Sequence, residues 1–182
     1  MTYYLEGREI PFANKGELEK QMPVLKKKFL YAEDFAKASL KELFGADKLK
    51  KADVLMADYF SNAVLINDAK GNFSIQALPW QAQLTSYRDA VVMDANGDKL
   101  PDIFLTGNFY ANNIQMGRYD ADYGTILINK RNGQFNYSQL NGVTIKGEAR
   151  HIRKTKLASG REAFIVARNN DNTMLITPAI RK

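Results

Sequence analysis

The chain has 182 residues, a net charge of +6 and no cysteine, which excludes disulfides, thiolate metal sites and cysteine nucleophiles. Hydrophobic residues at 45% and charged residues at 25% place it among folded proteins rather than disordered ones. No apolar run is long enough to span a membrane, and residues 1–10 lack the apolar core and cleavage site of a signal peptide.

Residues 14–52 read as helical. Leu18, Met22, Leu25 and Phe29 recur at helical spacing on one face. Asn14 followed by Glu17 has the form of a capping box, and Pro23 predicts a kink or two short helices. Lys26-Lys27-Lys28 reads as a solvated helix end rather than a nucleic-acid patch. A second helix is predicted over 33–44, burying Phe35, Leu40, Leu43 and Phe44, with Gly45 ending it in the left-handed conformation. A short turn over 47–51 follows.

From Val54 the apolar residues become β-branched or aromatic, in runs of about five between Gly, Asn and Asp turns. Ten strands are predicted: 54–59, 63–67, 72–77, 89–93, 103–106, 125–128, 134–138, 151–155, 163–167 and 174–177. The chain thus divides into a helical segment, 1–52, and a β part, 53–182.

The β part repeats. Leu65-Ile66-Asn67, Gly71 and Phe73 recur as Leu127-Ile128-Asn129, Gly133 and Phe135, and Leu78 recurs as Leu140. After one deletion, Ile103-Phe104-Leu105 and Asn108 match Phe164-Ile165-Val166 and Asn169. Gly71 and Gly133 suit hairpin turns, and Phe73 and Phe135 are expected in the core. The period divides the β part at about 63–124 and 125–182. Units this small must pack on one another, and four or so short strands per period suit propeller blades. Two and a fraction are present, where a ring needs roughly four to eight, so the expected architecture is mainly β, with a helical N-terminal segment and part of a larger propeller.

Asp94, Asn96, Asp98 and Asp102 stand at positions one, three, five and nine of an acidic loop, with Gly97 permitting the turn and the Leu100 carbonyl at position seven. Hard oxygen ligands at alternate positions suit Ca²⁺. Position twelve is Leu105, not glutamate, and the flanks are strands, so the loop is not an EF-hand. In the second repeat the same positions hold Thr155, Leu157, Ser159 and Ala163, so the ion is expected to be structural. Asp120 and Asp122, with Tyr110, Arg118 and Tyr119, form a weaker candidate ligand site in the connection between repeats. Trp80, Tyr87 and Tyr123 are further aromatics that suit sugar stacking, although burial is the expectation for Trp80.

These residues resemble the VCBS / FG-GAP repeats of bacterial surface proteins, in which an aspartate-rich loop precedes an apolar strand, as in Asp94–Asp98 followed by Asp102-Ile103-Phe104-Leu105. Most of the chain is similar to the C-terminal part of large exported proteins in which such repeats accompany an ASPIC/UnbV-type domain. Supporting segments are Gly107-Asn108-Phe109-Tyr110, Arg118-Tyr119-Asp120-Ala121 and Asn169-Asn170-Asp171. The resemblance implies a β-propeller, Ca²⁺ in the acidic loop and an extracellular or cell-surface binding role. Its partners would be a surface protein or glycan, and the remaining blades of a longer chain. The chain is accordingly expected to be non-catalytic.

Two other classes compete. A carbohydrate-active hydrolase would depend on His151, the single histidine, or on spare carboxylates such as Asp120 and Asp122. A nucleic-acid-binding protein is suggested by the basic balance and loop aromatics. Charge mixing opposes it: residues 1–52 hold 11 Lys/Arg and 8 Asp/Glu, and the remainder 15 and 12.

Overall fold

The computed structural model of the chain describes residues 1–179. Its contacts separate two compact units, Met1–Asp58 and a second from Tyr59 onward. Strand outweighs helix, 34% against 20%, so the chain is mainly β.

The first unit begins with a hairpin absent from the predicted elements, β1 (Thr2–Leu5) and β2 (Arg8–Pro11). Glu6 and Gly7 both take positive φ, 49° and 76°, as a two-residue hairpin turn of matching twist requires. Asn14 caps α1 (Lys15–Gln21) in the predicted capping box: its Oδ1 accepts the Glu17 N–H at 3.0 Å, and Glu17 Oε2 accepts the Asn14 N–H at 2.9 Å. Pro23 separates α1 from α2 (Val24–Lys28), giving two short helices.

The helix expected over 33–44 is instead two, α3 (Ala32–Lys37) and α4 (Leu40–Phe44). Ser39 breaks it by forming a second capping box with Glu42, which stabilises a new N-terminus more than continuation would. Gly45 ends α4 with φ 86° and ψ 138°, outside the left-handed helical well, and leads into α5 (Ala46–Lys50). Leu18, Leu25, Phe29 and Leu43 form the core of this unit.

The expected strand over 54–59, at the end of the first unit, does not form; Val54, Leu55 and Met56 are exposed and in no strand. The other nine predicted strands are present, with ends shifted by one or two residues. They make three antiparallel sheets. The first is the hairpin β3 (Ala63–Asn67) and β4 (Phe73–Ala77). The second has four strands in sequence order: β5 (Tyr87–Met93), β6 (Asp102–Gly107), β7 (Thr125–Asn129) and β8 (Phe135–Gln139). The third has β9 (Ala149–Lys156), β10 (Glu162–Arg168) and β11 (Met174–Ile176). Among the described residues these sheets do not close into a barrel or a ring.

Strands that the sequence aligns at this period share their pairings. Asn67 pairs with Phe73 and Asn129 with Phe135; Ala63 pairs with Ala77 and Thr125 with Gln139. Tyr87 opposite Gly107 corresponds to Ala149 opposite Arg168. Each of these two pairings is followed by a register shift, which leaves Arg88 in one strand and Arg150 in the other as the extra residue. The backbone bond from Asn108 N–H to the Ser86 carbonyl, 3.1 Å, is repeated from Asn169 to Glu148 at 2.8 Å. One continuous sheet, β5 to β8, runs across the 124/125 point.

The four-stranded sheet is apolar on both faces. On one, Leu105 and Leu127 pack with Ala82, Leu78, Tyr87, Ile103 and Phe135. On the other, Phe104 and Ile126 pack with Ile152, Phe164 and Val166 of the third sheet, and the Phe104 and Phe164 rings meet edge to face at 5.5 Å. Asp89 of β5 also clasps β9, accepting the Ile152 N–H at 3.1 Å and the Arg153 guanidinium, with His151 Nδ1 at 3.3 Å. Phe73 is not core: it is exposed, because β3 and β4 have no sheet against that face, whereas Phe135 is partly buried. Trp80 is likewise exposed, in a one-turn 3-10 segment.

Gly71 and Gly133 occupy the same turn at φ 93° and 75°, but a Cβ on Gly71 meets nothing within 4 Å, while one on Gly133 would lie 1.8 Å from Ile66 Cδ1. Gly71→Ala should therefore cost only the left-handed backbone penalty, about 1 kcal/mol. Gly133→Ala should cost up to about 1 kcal/mol more, because the crowding atoms, Ile66 Cδ1 and Gln76 Oε1, are side-chain ends that can turn away. Denaturant unfolding of the two variants measures the difference.

Candidate functional site

Two places carry the polar residues singled out in the sequence. The first is the β5–β6 loop. Asp94 Oδ1 accepts the Gly97 N–H at 2.7 Å and its Oδ2 the Lys99 N–H at 3.0 Å. Asn96 Oδ1 accepts the Asp98 N–H at 2.9 Å, and Asp98 Oδ1 accepts the Leu100 N–H at 2.8 Å. These are successive Asx turns, helped by positive φ at Gly97 and Lys99. The Leu100 N–H and the Asn96 amide hold the Asp98 carboxyl below its usual range against a small burial effect, aided by Lys130 and Arg131.

Asp102 stands apart. It is fully buried; Oδ2 accepts the Ala95 N–H and Oδ1 the Asn129 N–H, each at 2.8 Å. It ties the start of β6 to both the loop and the end of β7. Every donor in the loop is a hard oxygen, and a carboxylate oxygen that accepts one N–H keeps a second lone pair. In that respect the set fits Ca²⁺. Among the described residues, no three His, Asp or Glu side chains are close enough to hold one ion between them, so a bound ion would draw on Asn96 and the Leu100 carbonyl as well. In the other repeat the loop shrinks to a tight turn between β9 and β10, closed by the Leu157 N–H on the Arg161 carbonyl at 2.9 Å.

The second place is the β6–β7 connection. Residues 108–124 fill it, where 169–173 suffice between β10 and β11. The sequence period places it between repeats, and in the fold it joins two neighbouring strands of one sheet. Its root is a buried polar network. Asn108 donates from Nδ2 to the Asp122 carbonyl at 2.8 Å and the Gly147 carbonyl at 2.9 Å, and its Oδ1 accepts the Asp122 N–H at 2.9 Å. Asp122 accepts the Gly107 N–H at 3.0 Å, the Gly124 N–H at 3.2 Å and the Thr125 hydroxyl at 2.8 Å. Burial still pushes the Asp122 carboxyl above its usual range.

Above this root, Tyr110 donates its hydroxyl to Asp120, and the Arg118 guanidinium lies 4.8 Å from the Tyr110 ring centre. The Tyr110 hydroxyl is pushed up to about 12 by burial first, then by Asp120. Phe109 and Tyr119 exchange backbone hydrogen bonds, leaving the Tyr119 and Tyr123 rings exposed. Tyr110, Arg118, Tyr119, Asp120 and Asp122 therefore do share one loop, with Asp122 inside it rather than at its surface.

Sequence reasoning missed Glu148 and Arg150. Glu148 is buried, accepts Asn169 Nδ2 at 2.8 Å and the Tyr110 N–H at 3.3 Å, and pairs with Arg150 at 2.9 Å. Its repeat equivalent is Ser86, so no pattern marked it. Burial pulls the Glu148 carboxyl up, but Asn169, the Tyr110 N–H and Arg150 outweigh it and hold it low. Arg150 Nε and Asn112 Nδ2 are buried without a hydrogen-bond partner. Comparison with family models, curated proteins and solved structures finds no match to the chain.

A carboxyl held low in the folded state stabilises it above the ordinary carboxylate pKa, and that contribution disappears as pH falls through the depressed value. Glu148→Gln should therefore lower stability by on the order of 1–2 kcal/mol at neutral pH, and the gap should close in acid. Melting curves of both proteins from neutral to acid pH check this.

Proposed function

We propose that the chain is a non-catalytic binding and scaffolding segment of an extracellular or cell-surface protein, built from VCBS / FG-GAP-type repeats stacked as propeller blades. The observation that carries this reading is the 108–124 connection. The repeats match strand for strand, yet here one grows to 17 residues where its counterpart has 5. A long connection on a rigid scaffold is where binding residues concentrate. Its root is buried and hydrogen-bonded, and its outer rings, Tyr119 and Tyr123, are free to stack on a sugar or a peptide.

The non-catalytic reading is supported by the state of the carboxylates. Asp122 and Glu148 already hold backbone and side-chain donors, and Asp120 is taken by Tyr110 and Asn108. His151 is an exposed partner of Asp89 on a strand. A glycan hydrolase would need a spare acid and base, and a nucleic-acid surface would need its cations gathered rather than mixed with acids.

Calcium enters as a structural ion. Asp94, Asn96, Asp98 and Asp102, with the Leu100 carbonyl, are the residues proposed to hold it, and the three aspartates would have to draw closer together to do so. The loop's own Asx turns favour a second reading, in which backbone donors alone close the turn. The melting temperature separates the two. Under the calcium reading, a hundredfold excess of Ca²⁺ over its Kd adds about 2.7 kcal/mol, which chelator removes and Asp94→Ala with Asp98→Ala abolishes. An unchanged melting curve with Ca²⁺ and with chelator would leave the turns as the sole staple.

The binding reading is tested on a panel of immobilised oligosaccharides and surface-protein ectodomains. Retention of the wild-type chain by at least one probe, lost in Tyr119→Ala and in Tyr123→Ala without a change in melting temperature, is the expected result. Retention that survives both substitutions, or turnover of any probe, would sink it.

A further inference from the structure

Beside the end of the 108–124 connection lies a cavity of about 310 Å³ that opens to solvent. Its floor is β8, where Tyr137 and Gln139 stand on one face, two residues apart. One wall is Tyr123, at the end of the connection; the other is the segment 140–144, with Val143 and Thr144. Backbone bonds fix the walls. The Ile145 N–H donates to the Tyr123 carbonyl at 3.0 Å, and the Leu140 N–H to the Gly124 carbonyl at 3.4 Å.

The aligned place on the β3–β4 hairpin is stitched together instead. Asn62 stands where Gly124 does, just before the paired strand, and its carbonyl accepts the Leu78 N–H at 2.9 Å. Its Nδ2 donates to the Ala82 and Thr85 carbonyls at 2.8 and 2.7 Å, and Gln83 Nε2 donates to the Asn62 and Leu78 carbonyls, both at 2.9 Å. Gly124 has no side chain with which to do this. Ile75 and Ala77 hold the register positions of Tyr137 and Gln139, so the ring and the amide occur only where the space is open. The lining carries no charged residue. Among the described residues, its two phenol hydroxyls, the Gln139 amide and the Thr144 hydroxyl make no side-chain hydrogen bond.

We infer that this cavity binds an uncharged saccharide, with Tyr123 and Tyr137 as stacking rings and Gln139 and Thr144 meeting its hydroxyls. A pyranose has the matching character: apolar C–H faces for the rings, and a rim of hydroxyls that donate and accept. A charged ligand would leave water here without meeting a counter-charge. The volume is at the small end for ligand sites, which suits a sugar unit better than an extended peptide. Assignment of this ligand class rests on the binding role proposed for the connection and adds residues of β8 to it.

Calorimetric titration of the full chain tests it, with neutral oligosaccharides of glucose, galactose, mannose and N-acetylglucosamine, and with uronate oligosaccharides and an acidic peptide as charged probes. At least one neutral sugar should bind with a Kd in the millimolar range or below. Gln139→Leu and Thr144→Val, both at exposed positions, should each weaken that binding about tenfold with the melting temperature unchanged. Tyr137→Phe should keep most of it and Tyr137→Leu lose it, since the ring supplies the stacking. Sugar binding that survives Gln139→Leu and Thr144→Val but is lost in Tyr119→Ala, outside the cavity, overturns this site and leaves the binding role of the connection standing. Binding of the charged probes alone does the same. If no probe binds, the site and that role fall together.

Discussion

A sheet that is apolar on both faces cannot stand alone in water. The β5–β8 sheet buries Leu105 and Leu127 on one side and Phe104 and Ile126 on the other, so it needs a layer on each. At about 25 cal/mol per Å² of apolar surface removed from water, such faces outweigh any single turn or ion pair in the unit. The strand order, the stacking and the position of every loop follow from satisfying both faces at once. The clasp from Asp89 to the Ile152 N–H then fixes how the third sheet sits on the second.

Within that frame the loops have freedom that the strands lack. The β5–β6 connection holds eight residues of the acidic loop in one repeat and a tight turn in the other, and the β6–β7 connection differs by more still, without altering the pairing of the strands they join. Polar chemistry is consequently placed at the sheet ends. The buried carboxylates there serve first as acceptors for backbone N–H groups that no strand could satisfy, as Asp102 does for Ala95 and Asn129.

Much of this was legible in the sequence because it is local. Leu-Ile-Asn followed by Gly and Phe encodes a hairpin within nine residues, and it recurs intact. Asn14 and Glu17 encode a cap within four. The network joining Asn108 to Gly147 and Tyr110 to Glu148 was not legible, since its partners lie 39 and 38 residues apart with no periodic signal. The 54–59 run misled because its apolar pattern describes a strand's side chains and says nothing of an available pairing edge. Phe73 misled for a related reason: its repeat equivalent is covered by a neighbour that Phe73 does not have. The β1–β2 hairpin was overlooked because Glu-Gly is a weaker turn signal than Asn-Gly, and its flanks are exposed.

The pairing of consecutive strands within each sheet also sets an order of assembly. Contacts inside a sheet join residues close in sequence, whereas the Asp89–Ile152 bond closes a span of 63 residues. Each meander can zip up before that longer closure pays its chain entropy. During synthesis the β5–β8 meander would be complete before β9 emerges. For that interval its Phe104 face has no cover of its own, and the nascent chain offers an adhesive surface to any neighbour on the same message.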